Sequence, residues 1–240
     1  MLWIDKYPQI SNCIDIASKV VNKFRLNPEC EFEARLGNIV NGKFVTGVKR
    51  IVMDDIIEMM QKSTFVKCED EWKEEMDLYF MHNNQELRTR VQYDSNSMNV
   101  ISMTTEKKLV TMPVDFYCES EKNDDFSEQS CLGIRLSLKS ETEIKNPPTS
   151  TNPYLVRIKQ RKRFITENKI WAFDFSMTWA GKDKSTAEYS QMNDDAIYEI
   201  ECECIDPTVL NHKSDDYIAG SILLKMYDFM PKDSILRSKQ

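Results

Sequence analysis

The feature that most constrains this chain is a two-residue period in its charge. In "YEIECEC", residues 198–204, Glu199, Glu201 and Glu203 alternate with Ile200, Cys202 and Cys204. Successive side chains of a β-strand point to opposite faces, so as a strand this segment carries its three carboxylates on one side. The period recurs along the chain. "RIKQRKRF" sets Arg157, Lys159, Arg161 and Arg163 on one face, with Ile158, Gln160, Lys162 and Phe164 on the other. "EFEARLG" sets Glu31, Glu33 and Arg35 against Phe32, Ala34 and Leu36, and "ELRTRVQ" aligns Glu86, Arg88, Arg90 and Gln92. "IRLSLKSE" aligns Arg135, Ser137, Lys139 and Glu141, while "WAFDFSMTW" opposes Asp174, Ser176 and Thr178 to Phe173, Phe175, Met177 and Trp179.

A charged stripe on a strand is ordinarily a solvated surface. On an open sheet, however, the four cations of 157–163 would stand about 7 Å apart along the strand and repel without benefit. The sorting into acidic and basic strands would also be accidental. If the sheet instead closes with its charged faces inward, the Glu rows and the Arg/Lys rows compensate one another across a polar lumen, and the apolar faces pack outward against helices.

The rest of the chain supplies the material for that arrangement. Strands are expected at 30–37, 43–50, 72–81, 85–93, 98–112, 131–143, 154–165, 169–180 and 196–205. Turn signals stand at Asn41-Gly42, Asn83-Asn84, "DSNSMN" (94–99) and "TENK" (166–169). Helical spacing of apolar residues predicts one helix over 8–26, a second at "MDDIIEMMQKS" with Asp54 and Asp55 in its first turn, and a third near 215–230. The polar stretches "ESEKNDDFSEQS" and "AGKDKSTAEYSQMNDD" read as mobile loops. The fold class is therefore mainly β with some α. No repeat and no Gly/Pro/Ser-rich linker divides the 240 residues, which are expected to form one domain.

Composition excludes several classes. With 32 Lys plus Arg against 39 Asp plus Glu the net charge is −7, which argues against coating duplex nucleic acid with the whole surface. Seven cysteines without a C-x-x-C pair suggest reduced thiols and no zinc knuckle. No apolar run has the length of a membrane span, and the N-terminus lacks a signal-peptide pattern. An intracellular protein without a membrane partner is expected.

A closed polar lumen would also be a site. Carboxylates two apart on one strand, or on neighbouring strands about 4.8 Å away, resist full ionisation without a cation. Oxygen ligands with no His or Cys among them suit Mg²⁺ or Mn²⁺. Facing guanidinium and ammonium groups are shaped for phosphate oxygens. Together these describe a polyphosphate site.

The E-x-E-x-R strand "EFEARLG" near the start and the E-x-E-x-E strand "YEIECEC" near the end resemble the signature of the triphosphate tunnel metalloenzymes. "VRIKQRKRF" is similar to that family's R-x-K-x-R strand, "WAFDFSMTW" to its Asp-bearing strand and "RLSLKSE" to its R-x-S strand ending in Glu. The pattern spans 31–203. Each E-x-E alone arises often in an acidic protein; both ends with the basic strand between them, in this order, are far more specific. Within the superfamily the chain resembles the metal-dependent mRNA-capping RNA 5′-triphosphatases, above all the N-terminal domain of a giant DNA virus capping enzyme.

The resemblance implies a closed antiparallel barrel of about eight or nine strands with a charged lumen, flanked by about three helices. It implies hydrolysis of the γ-phosphate of 5′-triphosphate RNA to a diphosphate end. Glu31, Glu33 and Glu203 match metal ligands, and Glu201 matches a residue holding a metal-bound or attacking water, with Glu199 behind it. Arg157, Lys159 and Arg161 match the strand that grips the terminal phosphates, and Asp174 the acid that supports it. Arg88, Arg90 and Arg135 are expected to complete the lumen, with Lys107 or Lys108. Arg163 continues the alternation beyond the motif, and its role is open. The partners implied are an RNA 5′ end, free nucleoside triphosphate as a further substrate, and guanylyl- and methyltransferase domains in the same polypeptide. The location implied is the cytoplasm, or a virion or viral factory if the source is viral.

Two other readings keep the barrel. One makes it a hydrolase of free nucleoside triphosphate, tripolyphosphate or thiamine triphosphate; the other makes it a non-catalytic polyanion-binding module. "GNIVNGKF" has the outline of a P-loop, but Phe44 stands where a metal-binding hydroxyl is needed and a strand follows instead of a helix, so a hairpin is expected. His82 and His212 stand in no catalytic or metal-spaced context, and no K-x-D-G nucleotidyl-transfer motif occurs.

Overall fold

A computed structural model describes residues 8–69, 72–93, 100–119, 131–144, 152–230 and 235–238. Its helices are α1 (Pro8–Leu26), α2 (Arg50–Lys62), α3 (Lys184–Met192) and α4 (Asp215–Tyr227), with a 3-10 turn at Pro207–Asn211. Its strands are β1 (Glu31–Val40), β2 (Lys43–Thr46), β3 (Val66–Cys68), β4 (Lys73–His82), β5 (Gln85–Tyr93), β6 (Val100–Glu119), β7 (Cys131–Glu143), β8 (Leu155–Thr166), β9 (Trp171–Gly181), β10 (Ile197–Cys204) and β11 (Ile235–Ser238).

Eight strands close into an antiparallel barrel in the order β1-β7-β6-β5-β4-β8-β9-β10 and back to β1. Closure falls on β1, whose Glu33 lies opposite Ser137 of β7 on one side and Glu203 of β10 on the other. This register makes every charged row point the same way, because residues directly opposite one another share a face. Closing the ring also removes the exposed edges of an open sheet.

The outward rows form the apolar core. Phe32, Ala34 and Leu36 of β1, Ile134 and Leu136 of β7, Phe175 of β9, and Ile200 and Cys202 of β10 are completely buried. They meet α1 through Ile10, Ala17, Val21 and Phe24, and α4 through Ile218, Ile222, Leu223 and Met226. Phe24 stacks on Phe32 with ring centroids 5.1 Å apart. Each such large side chain contributes roughly 2–3 kcal/mol by leaving water. Ser214 caps α4 by accepting from Tyr217 N, and Arg25 ties α1 to it through Asp215 at 2.6 Å.

The hairpin turns form where expected: Asn41, Gly42, Asn83 and Asn84 all have positive φ, the geometry of a two-residue turn between twisted strands. Gly37 to Lys43 is thus part of a hairpin and not a P-loop, with Gly37 packed so closely that a Cβ would meet Val45 O at 2.5 Å. His82 and His212 are both exposed. The turn expected at 94–99 and most of the loop at 119–130 lie outside the described residues.

Four expectations need correction. The stretch taken as one mobile loop contains α3, whose start is capped by Asp183 accepting from Thr186 N at 2.8 Å and whose Ala187 is buried against Gly181. Strand β2 stops at Thr46 instead of reaching 50, and α2 begins at Arg50, so Asp54 and Asp55 fall in its second turn. Strand β6 runs past Pro113 to Glu119 because its pairing with β5 ends at Lys107 and with β11 begins at Phe116. Pro113 therefore sits where β7 is the paired neighbour and no second partner needs its missing N–H. The short strands β3 and β11 were not anticipated, each having too few residues to display a period.

Candidate active site in the tunnel

The inward rows enclose two adjoining cavities that share Arg35, Arg88, Lys139 and Lys159. The inner cavity, about 80 Å³, is walled by charged and hydroxyl groups alone. Glu31, Glu33, Glu201 and Glu203 come from β1 and β10, Asp174 and Ser176 from β9, Glu75 from β4, Arg90 from β5, and Arg161 and Arg163 from β8. The outer cavity, about 280 Å³, opens at exposed Glu86 and adds Arg157, Glu106, Glu141 and Glu199, together with Tyr79 and Leu155.

Ion pairs organise both. Arg163 clasps Asp174 with two hydrogen bonds of 2.7 and 2.5 Å and reaches Glu203 at 3.2 Å. Arg161 pairs with Glu75, which is 2% exposed. Arg90 grips fully buried Asp77 through bonds of 2.8 and 3.1 Å, with Lys159 3.7 Å away. Burial works against the ionised form of Asp77, but Arg90 and Lys159 prevail and hold it at about 2. Arg35 joins Glu33 and Glu201, each at 2.9 Å, and Lys139 also pairs with Glu33. Glu201 is likewise opposed by burial yet drawn down to about 2 by Arg35, Lys139 and Lys159, so it is a charged acceptor. In the outer cavity Arg88 joins Glu106 and Glu141. Burial pushes Glu141 up to about 7, and Glu31 and Glu106 add to the rise.

The structure brings Glu31, Glu33, Glu201, Glu203, Lys159, Arg161, Asp174, Arg88 and Arg90 together in the inner cavity. Arg163, left without a role, is the clasp between Asp174 and Glu203. Two residues lie outside that cavity, and register separates Lys107 from Lys108. Arg157 lies at the outer cavity with its guanidinium 5.3 Å from the Tyr79 ring centre. Arg135 lies opposite Arg35 in register but lines neither cavity; Asp115 holds it by bonds of 2.7 and 2.9 Å, and it covers the Phe44 ring. Lys107 stands opposite outward-facing Leu87, whereas Lys108 is paired in register with lumenal Glu141. Sequence reasoning assigned no role to Arg35 or Lys139, although both lay on rows it had aligned. It missed Glu75 and Asp77 altogether, although "KEEMDLYF" alternates Glu75, Asp77 and Tyr79 with Met76, Leu78 and Phe80.

The donor set can be tested for a metal ion. Among the described residues no three acidic, thiol or imidazole side chains converge on one point. Yet Glu33 Oε1 is buried and accepts no hydrogen bond, pairing only ionically with Arg35 and Lys139. Burial raises the pKa of both Glu31 and Glu203; Glu33 pushes each further, Glu203 adds to the rise at Glu31, and Asp174 and Glu201 add to it at Glu203. Carboxylates that crowd one another and resist ionisation, offering oxygen ligands alone, fit a hard divalent cation.

A closed antiparallel barrel whose lumen carries facing acidic and basic rows is the fold of the triphosphate tunnel enzymes. Among solved structures the chain is similar to the Pct1 RNA triphosphatase of S. pombe, with a TM-score of 0.60, 13% identity and 90% of each chain covered. It is similar to the same protein in complex with the Spt5 CTD, with a TM-score of 0.58, 15% identity and 91% of each chain covered. It is also similar to the Mimivirus capping enzyme triphosphatase, with a TM-score of 0.54, 12% identity, and 91% of this chain and 96% of that chain covered. At such identities the likeness is one of fold. No family model and no curated protein matches the sequence.

Proposed function

We propose that the tunnel hydrolyses the terminal phosphoanhydride of 5′-triphosphate RNA, the first step of mRNA capping. The observation that carries this reading is the inner cavity, where Arg35, Arg90, Lys139, Lys159, Arg161 and Arg163 surround the carboxylates Glu31, Glu33 and Glu203. Facing rows of this kind stabilise the charge of a transferring phosphoryl group, which needs positioning and electrostatics more than a nucleophilic side chain.

Glu31, Glu33 and Glu203 are the residues that would hold a divalent cation, Mg²⁺ or Mn²⁺, whose chemistry is to neutralise charge on the phosphate oxygens. Lys159 and Arg161 bind non-bridging oxygens, and Glu75 and Asp174 orient the guanidinium of Arg161. Glu201, held as a carboxylate by Arg35, accepts a hydrogen bond from a water and aims it at the γ-phosphorus. The water oxygen bonds to that phosphorus, the bond to the β–γ bridging oxygen breaks, and the diphosphate end departs. With a pKa near 2, Glu201 orients the water but is a poor acceptor of its proton, which passes to a phosphate oxygen or to solvent.

On this reading the chain is the triphosphatase unit of a capping system, with guanylyl- and methyltransferase domains in cis. The test is release of γ-labelled phosphate from triphosphate-ended RNA, with and without Mg²⁺ or Mn²⁺, beside labelled ATP. Chelator-sensitive release that prefers RNA supports the proposal. Preference for ATP or tripolyphosphate moves the activity to free polyphosphates, and tight binding without release leaves a polyanion-binding barrel.

A further inference from the structure

The two cavities differ in one respect that phosphate chemistry leaves unused. The inner wall has no carbon-rich surface, whereas the outer wall contains Tyr79 and Leu155. Tyr79 lies on β4 beside Leu155 of β8 and Arg88 of β5, and Arg157 of β8 stands over its ring at 5.3 Å. Among the described residues Arg157 forms no ion pair, in contrast to Arg88, Arg90, Arg161 and Arg163 on the same lumenal face. Tyr154, 45% exposed, continues the aromatic surface outward and hydrogen-bonds Glu86. A half-buried tyrosine ring with a guanidinium plane over it, beside an aliphatic side chain, is the surface on which an unpaired nucleobase stacks. A tunnel that processed inorganic polyphosphate alone would gain nothing from it.

We propose that the Tyr79–Arg157 pair is the stacking site for the 5′-terminal nucleobase, so the RNA end enters from the outer cavity with its phosphates reaching toward Lys159 and Lys139. This rests on the triphosphatase reading above and adds the direction of entry and a base contact. Stacking has little dependence on base identity, so all four 5′ nucleotides are accepted.

The experiment compares KM for ATP, triphosphate-ended RNA and inorganic tripolyphosphate in the full chain and in Tyr79→Leu, Tyr79→Phe and Arg157→Leu. In Tyr79→Leu the ratio of KM for ATP or RNA to KM for tripolyphosphate is expected to rise about tenfold, the order of one base–aromatic stack. Tyr79→Phe, which keeps the ring, restores the original ratio, and Arg157→Leu raises it. A ratio that stays constant in both Leu variants overturns the base contact while leaving the triphosphatase standing. Absence of hydrolysis of all three substrates by the unmodified protein overturns both. Circular dichroism and melting temperature identify any variant that misfolds, and if Tyr79→Leu does, Arg157→Leu decides: a raised ratio upholds the contact, and an unchanged ratio overturns it.

Discussion

The inner and outer cavities are built from the same strands and share four cations, yet they differ in how their charges are held. In the inner cavity Glu201 and Asp174 are tied to cations on adjacent strands, and Glu201 stays ionised with a pKa near 2. In the outer cavity Glu141 and Glu106 converge on one arginine, Glu141 rises to about 7, and Arg157 faces an aromatic ring in place of an acid. Under the proposed function, the contrast divides the work by position along the lumen. A fixed charge lattice suits bond breaking, and a softer, partly aromatic mouth suits admission of a substrate.

If that division is right, Glu33→Ala or Glu203→Ala will lower phosphate release from triphosphate RNA by about 10³-fold, the scale of losing a main electrostatic element of a phosphoryl-transfer site. A binding module would instead keep or improve its affinity for the RNA end. Next in size is Arg161→Ala, confined to the inner cavity, which is expected to lower kcat by about 10²-fold for tripolyphosphate as well as RNA. An equal loss from a substitution confined to the outer cavity, such as Arg157→Leu acting on tripolyphosphate, would erase the distinction.

The pH dependence gives a smaller effect with a defined sign. As pH falls through about 7, Glu141 takes up a proton and the outer cavity loses a negative charge, so KM for triphosphate RNA should fall several-fold. Glu141→Gln should flatten that profile. The same elevation means that the contribution of Glu141 to stability is present below its ordinary value of 4.5 and is lost as pH rises through about 7. Asp77 behaves oppositely: its contribution is present above 3.8 and is lost as pH falls through about 2, so Asp77→Asn should blunt acid unfolding followed by circular dichroism. Smallest of all, Asp183→Ala removes the cap of α3, outside both cavities, and should cost about 1 kcal/mol in a denaturant titration with hydrolysis unaltered.

The barrel was legible because a charged row of period two is a poor solvated surface but a good lumen, and six segments repeated it. Glu31, Glu33, Glu203, Lys159 and Arg161 were legible for the same reason. Strand β4 carries the same alternation at Glu75 and Asp77, and it was overlooked because Lys73 and Glu74 precede them and blur the period. Helix α3 was hidden because its apolar face is a single buried residue, Ala187, too small to register as a stripe. Arg135 was misplaced because alternation gives the face of a side chain but not its height along the barrel, and at its height Asp115 and Phe44 take it up.

By itself, then, the sequence determined which residues point inward, since side-chain direction along a strand is a local consequence of backbone geometry. Only the tertiary structure decided which acid meets which base. That choice depends on register between strands as distant in sequence as β1 and β10, where a shift of two residues would preserve every face and exchange every partner.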